Sequence, residues 1–203
     1  MRISSIAGIL VALLFSSAAI AQSFEEVLSE AQNQVGDMQK YQKALQDPDQ
    51  RLQYALVQQM LKLKDPALQR IAKEHALFST NPVMRELAIK AILDSGATLR
   101  IQLTGDRASV PYITEWVANN GGTYLDNQGQ VLLKVNDALT EDCWGYRDTC
   151  VFRLVGNSVQ LTPPFPNRRT LSSVLDLGND GILRGSMSYA NSEFVGIQID
   201  LKE

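Results

Sequence analysis

The hydrophobic period of this chain changes at Gly96, and that change dictates helices before it and mostly strands after. Upstream, apolar residues recur at intervals of three and four, as one face of an α-helix requires. Downstream they alternate, as a half-buried strand requires. The first helical stretch covers residues 23–46. Phe24, Val27, Leu28, Ala31, Val35, Met38 and Leu45 form one apolar stripe there, and Gln, Glu and Lys fill the opposite side. Ser23 stands where an N-cap is needed, with Glu26 three residues on as its capping-box partner.

The helix starts that follow share a signature. Asp47-Pro48, Asp65-Pro66 and Asn81-Pro82 each put a side-chain oxygen before a proline. The oxygen accepts from amides of the first turn, and proline brings a helical φ and no amide to leave unsatisfied. These signals predict helices over 48–64, 66–78 and 82–94, with Gly96 as the stop. Asp47-Pro48-Asp49-Gln50-Arg51 with Tyr54-Ala55, then Asp65-Pro66-Ala67-Leu68, then Asn81-Pro82-Val83-Met84-Arg85 with Leu87-Ala88 resemble the successive helix starts of a HEAT-type repeat. Asp47 and Asn81 are 34 positions apart, and Arg51 maps onto Arg85. The resemblance covers about residues 47–95 and implies stacked helix pairs that present an interaction surface. It amounts to roughly one and a half units, short of the ~3 repeats a free-standing solenoid needs. A small bundle of αα-hairpins is the other packing these starts allow. Neither packing implies an enzyme.

Beyond Gly96, alternation over 99–103 predicts a strand, and Ile113, Trp116 and Val117 on one side of 110–119 predict a short helix. Turn clusters then separate strands over 123–125 and 130–135, 151–155 and 158–161, 171–177 and 182–189, with a last strand over 193–201. The turns are Asp126-Asn127-Gln128-Gly129, Gly156-Asn157 and Gly178-Asn179-Asp180-Gly181. About eight strands joined by hairpins favour an antiparallel sandwich or small barrel. Val195, Ile197, Ile199 and Leu201 should face its core. Asp176 to Gly181 loosely resembles a calcium loop, but Gly178 and Met187 stand where such a loop needs oxygen ligands. A hairpin turn is expected instead. The fold class is α+β, with a helical region over 22–96 and a β-rich domain over 97–203.

The N-terminal residues give the expected compartment. Arg2 precedes an apolar run, and Ala19-Ile20-Ala21 places small residues before a candidate cut, the layout of a cleaved signal peptide over 1–21. The chain is expected to be periplasmic or secreted, with no transmembrane anchor after cleavage. The lack of an Asn-x-Ser/Thr site suggests a bacterial source. In that setting the two cysteines, Cys143 and Cys150, should form a disulfide. Closing so short a loop contributes roughly 2–3 kcal/mol by chain entropy. The net charge of −3 argues against nucleic acid as a partner.

Little in the sequence names a reaction. There is no nucleophile elbow, no His-Glu-x-x-His and no phosphate-binding glycine loop. His75, the single histidine, has no second metal ligand in its segment and reads as structural. No cofactor and no metal are expected. The segment of most interest is Glu141 to Cys150, where the disulfide would hold Trp144 and Tyr146 in a rigid loop beside Arg147. Rigid aromatics suit a binding surface; the alternative is that they tuck into the end of the β core. Phe165, inside a proline-rich stretch, and Arg168-Arg169 are the second candidate surface. The functional expectation is an exported non-enzymatic binding or adaptor protein of the bacterial cell envelope. Its partner would be a protein or an envelope polymer. Two alternatives are an envelope hydrolase using carboxylates among Glu141, Asp142 and Asp148, and a secreted inhibitor presenting the Cys143–Cys150 loop.

Overall fold

The computed structural model describes residues 24–106, 111–146, 149–163, 172–187 and 194–202. The predicted leader, Ser23, Arg147, Asp148, Phe165, Arg168 and Arg169 lie outside them, as does the side chain of Tyr146. The chain forms two compact units, Met1–Lys40 and Tyr41–Glu203. Helix α1 (Phe24–Ala44) carries the predicted stripe as far as Met38, with Phe24, Val27, Leu28 and Val35 exposed; Leu45 lies past its end, in the second unit, and is buried.

In the second unit, three helices follow one another: α2 (Gln50–Lys62), α3 (Pro66–Leu77) and α4 (Pro82–Asp94). Two of the three proline starts fall where the sequence puts them. Asp65 accepts from the amides of Ala67 and Leu68, and Asn81 accepts from Val83, each with proline in the first turn. The first start is displaced. Asp49, not Asp47, caps α2 by accepting from Arg51, while Asp47 accepts from the amide of Asp49 in the preceding turn. Two aspartates flank Pro48, and the later one wins the cap because the earlier one is used to shape the turn.

The remaining residues build an α+β fold with one antiparallel sheet, curled as a half-barrel. Its strands are β1 (Thr98–Thr104), β2 (Thr123–Leu125), β3 (Gln128–Lys134), β4 (Ala138–Thr140), β5 (Cys143–Tyr146), β6 (Thr149–Val155), β7 (Ser158–Leu161), β8 (Ser173–Leu177), β9 (Ile182–Met187) and β10 (Val195–Asp200). Helix α5 (Pro111–Asn119) connects β1 to β2 and buries Ile113, Trp116 and Val117, as predicted. The order is β2-β3-β1-β10-β9-β8-β7-β6-β5-β4. β4 to β10 form a meander, and the first strand then inserts between the last strand and β3, with Ile101 opposite both Ile199 and Val131.

Two strands were not legible. β4 and β5 are short, and Cys143-Trp144-Gly145-Tyr146 holds a glycine and no β-branched residue. The β2–β3 turn is also tighter than expected. Asp126 and Asn127 alone make it, both with positive φ, as a two-residue primed turn requires. Gly129 then belongs to β3, directly opposite Tyr124, and a Cβ there would come within 2.5 Å of the tyrosine ring. The ring lies where a side chain would be.

Alternation gives the sheet one buried face. Leu99, Ile101 and Leu103 of β1, Val195, Ile197 and Ile199 of β10, and Leu201 just after it are buried, as the last strand's pattern predicts. They share a core with Leu68, Ala72 and Ala76 of α3 and Met84, Ala88, Ile89 and Ile92 of α4. Helix α4 is tied to the sheet by side chains as well. The Arg85 guanidinium donates to the carbonyls of Leu177 and Gly178 and to Asn179 Oδ1, fastening α4 to the β8–β9 turn. Within that turn Asp180 accepts two bonds from Arg184, at 2.8 and 2.6 Å, which is the hairpin expected instead of a calcium loop.

Candidate functional site

The predicted aromatic loop is a hairpin. Cys143 to Cys150 is bridged by a disulfide, as expected, but the cysteines lie on paired strands, with Cys150 opposite Gly145. A diagonal pair of this kind brings side chains within reach across an antiparallel ladder. The register slips between Trp144 and Gly145, so that Val151 and Phe152, adjacent in β6, are both buried. Such a bulge needs close backbone approach, and a Cβ on Gly145 would sit 2.0 Å from the Thr149 carbonyl oxygen.

Trp144 corrects the choice of surface. Its side chain is fully buried, so it is not an exposed hot spot. Its indole N–H donates to Asp94 Oδ1 at 2.9 Å, at the C-terminal end of α4. The ammonium of Lys90, one turn earlier, lies 5.1 Å from the centre of the Trp144 ring and donates to the carbonyl of Glu141. The same ammonium is 3.9 Å from Asp94 Oδ2. Burial of an aromatic with a polar edge is stable when that edge finds a partner, and Asp94 is that partner. The candidate carboxylates Glu141 and Asp142 are exposed in the β4–β5 turn.

Lys90 and Asp94 lead to a feature that no sequence motif marks. They line a cleft of about 360 Å³ between α2, α3 and α4, together with Gln58, Leu61, Lys62, Gln69, Lys73 and Leu87. Three lysines and one aspartate line it, in a chain whose net charge is −3. The carboxylate is already shared by Lys90 and the Trp144 N–H. Among the described residues Lys62 and Lys73 have no ion-pair partner. The amides in the wall are partly committed: Gln69 Nε2 donates to the carbonyls of Leu61 (3.3 Å) and Leu63 (2.7 Å), and Gln58 Nε2 to Tyr54 Oη (2.8 Å). Leu61 and Leu87 make the wall partly apolar. The sequence offers no signal for this cleft. Its lysines come from three helices, and Lys62 in the last turn of α2 is an ordinary companion of the helix dipole.

His75 lies on α3 with its Nε2 buried and without a hydrogen-bond partner, and burial pushes its pKa below the ordinary value. Among the described residues no group of three or more His, Cys, Asp or Glu side chains is arranged to hold a metal ion. No family model, curated protein or solved structure matches this chain.

Proposed function

We propose that the chain is an exported, non-enzymatic binding protein of the bacterial cell envelope that engages its ligand through the cleft between α2, α3 and α4. The helical layer is the contact surface and the sheet is its support. One observation carries the reading: two lysines without ion-pair partners line a concave surface beside a third that is pinned by Trp144, Asp94 and Glu141. Unpaired positive charge on a concave wall, beside one lysine that is held in place, draws a partner of complementary charge. The bridged cysteines and the small-residue cut pattern near Ala21 support export. No described helix is long and apolar enough to cross a membrane.

The test is capture from envelope extract by the tagged chain lacking residues 1–21. Wild type should retain a component that the Lys62→Glu/Lys73→Glu variant does not, with both proteins melting at the same temperature. The same components on both would refute the choice of cleft.

A further inference from the structure

We infer that the cleft takes an acidic saccharide, a hydroxylated ring bearing a carboxylate; this names a ligand class and rests on the cleft being the binding surface. Lys62 and Lys73 supply donors and positive charge without an acidic partner among the described residues, which calls for an anion. The wall also offers acceptors. Both partners of Gln69 Nε2 are carbonyl oxygens, which can only accept, so the orientation of that amide is fixed and its oxygen is what remains. Asp94 adds a carboxylate whose side chain is 46% exposed.

A ligand made only of acceptors offers no donor to the Gln69 oxygen and adds none to Asp94 beyond those that Trp144 and Lys90 already supply. A compact polyanion would use the lysines but find no use for the acceptors beside them. A sugar acid meets both demands, since its carboxylate suits the lysines and its hydroxyls donate to Gln69 and Asp94. Its C–H face suits Leu61 and Leu87. The cleft volume, about 360 Å³, lies within the range of small-ligand sites and admits a sugar unit of this kind.

The experiment is a calorimetric titration of the full chain lacking residues 1–21 at low salt. The probes are trigalacturonate, galactotriose, inorganic phosphate and a glutamate-rich peptide. Trigalacturonate should bind at least about tenfold tighter than galactotriose, and the gap should narrow as salt is raised. Lys62→Gln/Lys73→Gln should remove at least about tenfold of the trigalacturonate affinity without shifting the melting temperature. Equal binding of the acidic and neutral sugars overturns the inference. So does tighter binding of phosphate, which would make the cleft a simple anion site, or of the peptide, which would make the partner an acidic protein. If the lysine pair governs capture from envelope extract while trigalacturonate fails to bind, the sugar assignment falls and the cleft stands as the binding surface.

Discussion

Trp144→Phe tests the join between helix and sheet. The substitution keeps an aromatic ring over Lys90 but deletes the N–H that Asp94 accepts at 2.9 Å. A hydrogen bond to a charged group contributes about 1.5–3 kcal/mol, and the low end applies because water can reach a carboxylate that is 46% exposed. Trp144 is fully buried, so the lost part of the indole is a packing loss as well. Two to three buried carbon equivalents at ~0.8 kcal/mol each give about 2 kcal/mol. The sum is roughly 3.5 kcal/mol, a fall in melting temperature of about 7–14 °C for a chain of this size. Urea denaturation followed by fluorescence is a clean readout, because the chain has two tryptophans and Trp116 then remains alone. A double-mutant cycle with Asp94→Ala should show a coupling of about 1 kcal/mol. If Trp144→Phe costs under about 0.5 kcal/mol, or the two changes simply add, Trp144 is packing alone and the anchoring argument fails.

Other elements give sharper local tests. Arg85→Met frees the carbonyls of Leu177 and Gly178 from α4, and a loss of about 1–2 kcal/mol is expected, with faster hydrogen exchange in the β8–β9 turn; unchanged exchange there would argue against the tie. Gly145→Ala forces a Cβ to within 2.0 Å of a backbone oxygen, so the β5–β6 hairpin must part, lowering stability by more than about 2 kcal/mol in a thermal melt with the disulfide intact. Burial lowers the His75 pKa, so the unfolded state takes up a proton first. Its contribution is complete above the ordinary value of 6.5 and is lost as pH falls from there through the folded value. Urea midpoints compared between pH 7.5 and 5 should show a shallower decline in His75→Gln than in wild type, and parallel curves would refute the assignment.

What could be read in the sequence was local. Asp65 and Asn81 cap their helices because a cap and its proline act within three residues, and the Val195 to Leu201 alternation predicts burial because the period is set by one strand alone. Asp49 took the first cap because Asp47, an equally good candidate, is drawn into the turn ahead of it. Pairing of β1 with β10 was out of reach, since Ile101 and Ile199 meet across nearly the whole β-rich part and no local signal selects that partner. Trp144 stands out in the sequence for its rigid covalent setting, yet the polar partner of its buried indole is Asp94, 50 residues earlier. The cleft was invisible for the same reason: Lys62, Lys73 and Lys90 are unexceptional on their own helices and acquire meaning only when those helices pack.

Helix α4 carries the argument from stability to function. Arg85 near its start holds the β8–β9 turn, Lys90 holds the β4–β5 turn, and Asp94 at its end holds Trp144. The helix is therefore fixed along its length to strands at separate places in the sheet, and β1 follows it after only a short turn through Gly96. Helix α2 has no comparable polar tie to the sheet among the described residues. Within the cleft, Lys90 is then the stationary charge, while Lys62 belongs to a helix held mainly by its packing on α3. That asymmetry separates two effects that a single binding assay would merge. Lys62→Gln removes a charge from a wall that stays in place. Trp144→Phe and Arg85→Met leave every cleft charge present and loosen the helix that positions Lys90. If the cleft binds through preorganised charge, these two should weaken trigalacturonate binding with a larger unfavourable entropy change, while Lys62→Gln should weaken it chiefly through its salt dependence. Identical signatures from all three would mean that the sheet supports α4 for stability alone and leaves the cleft to the helices.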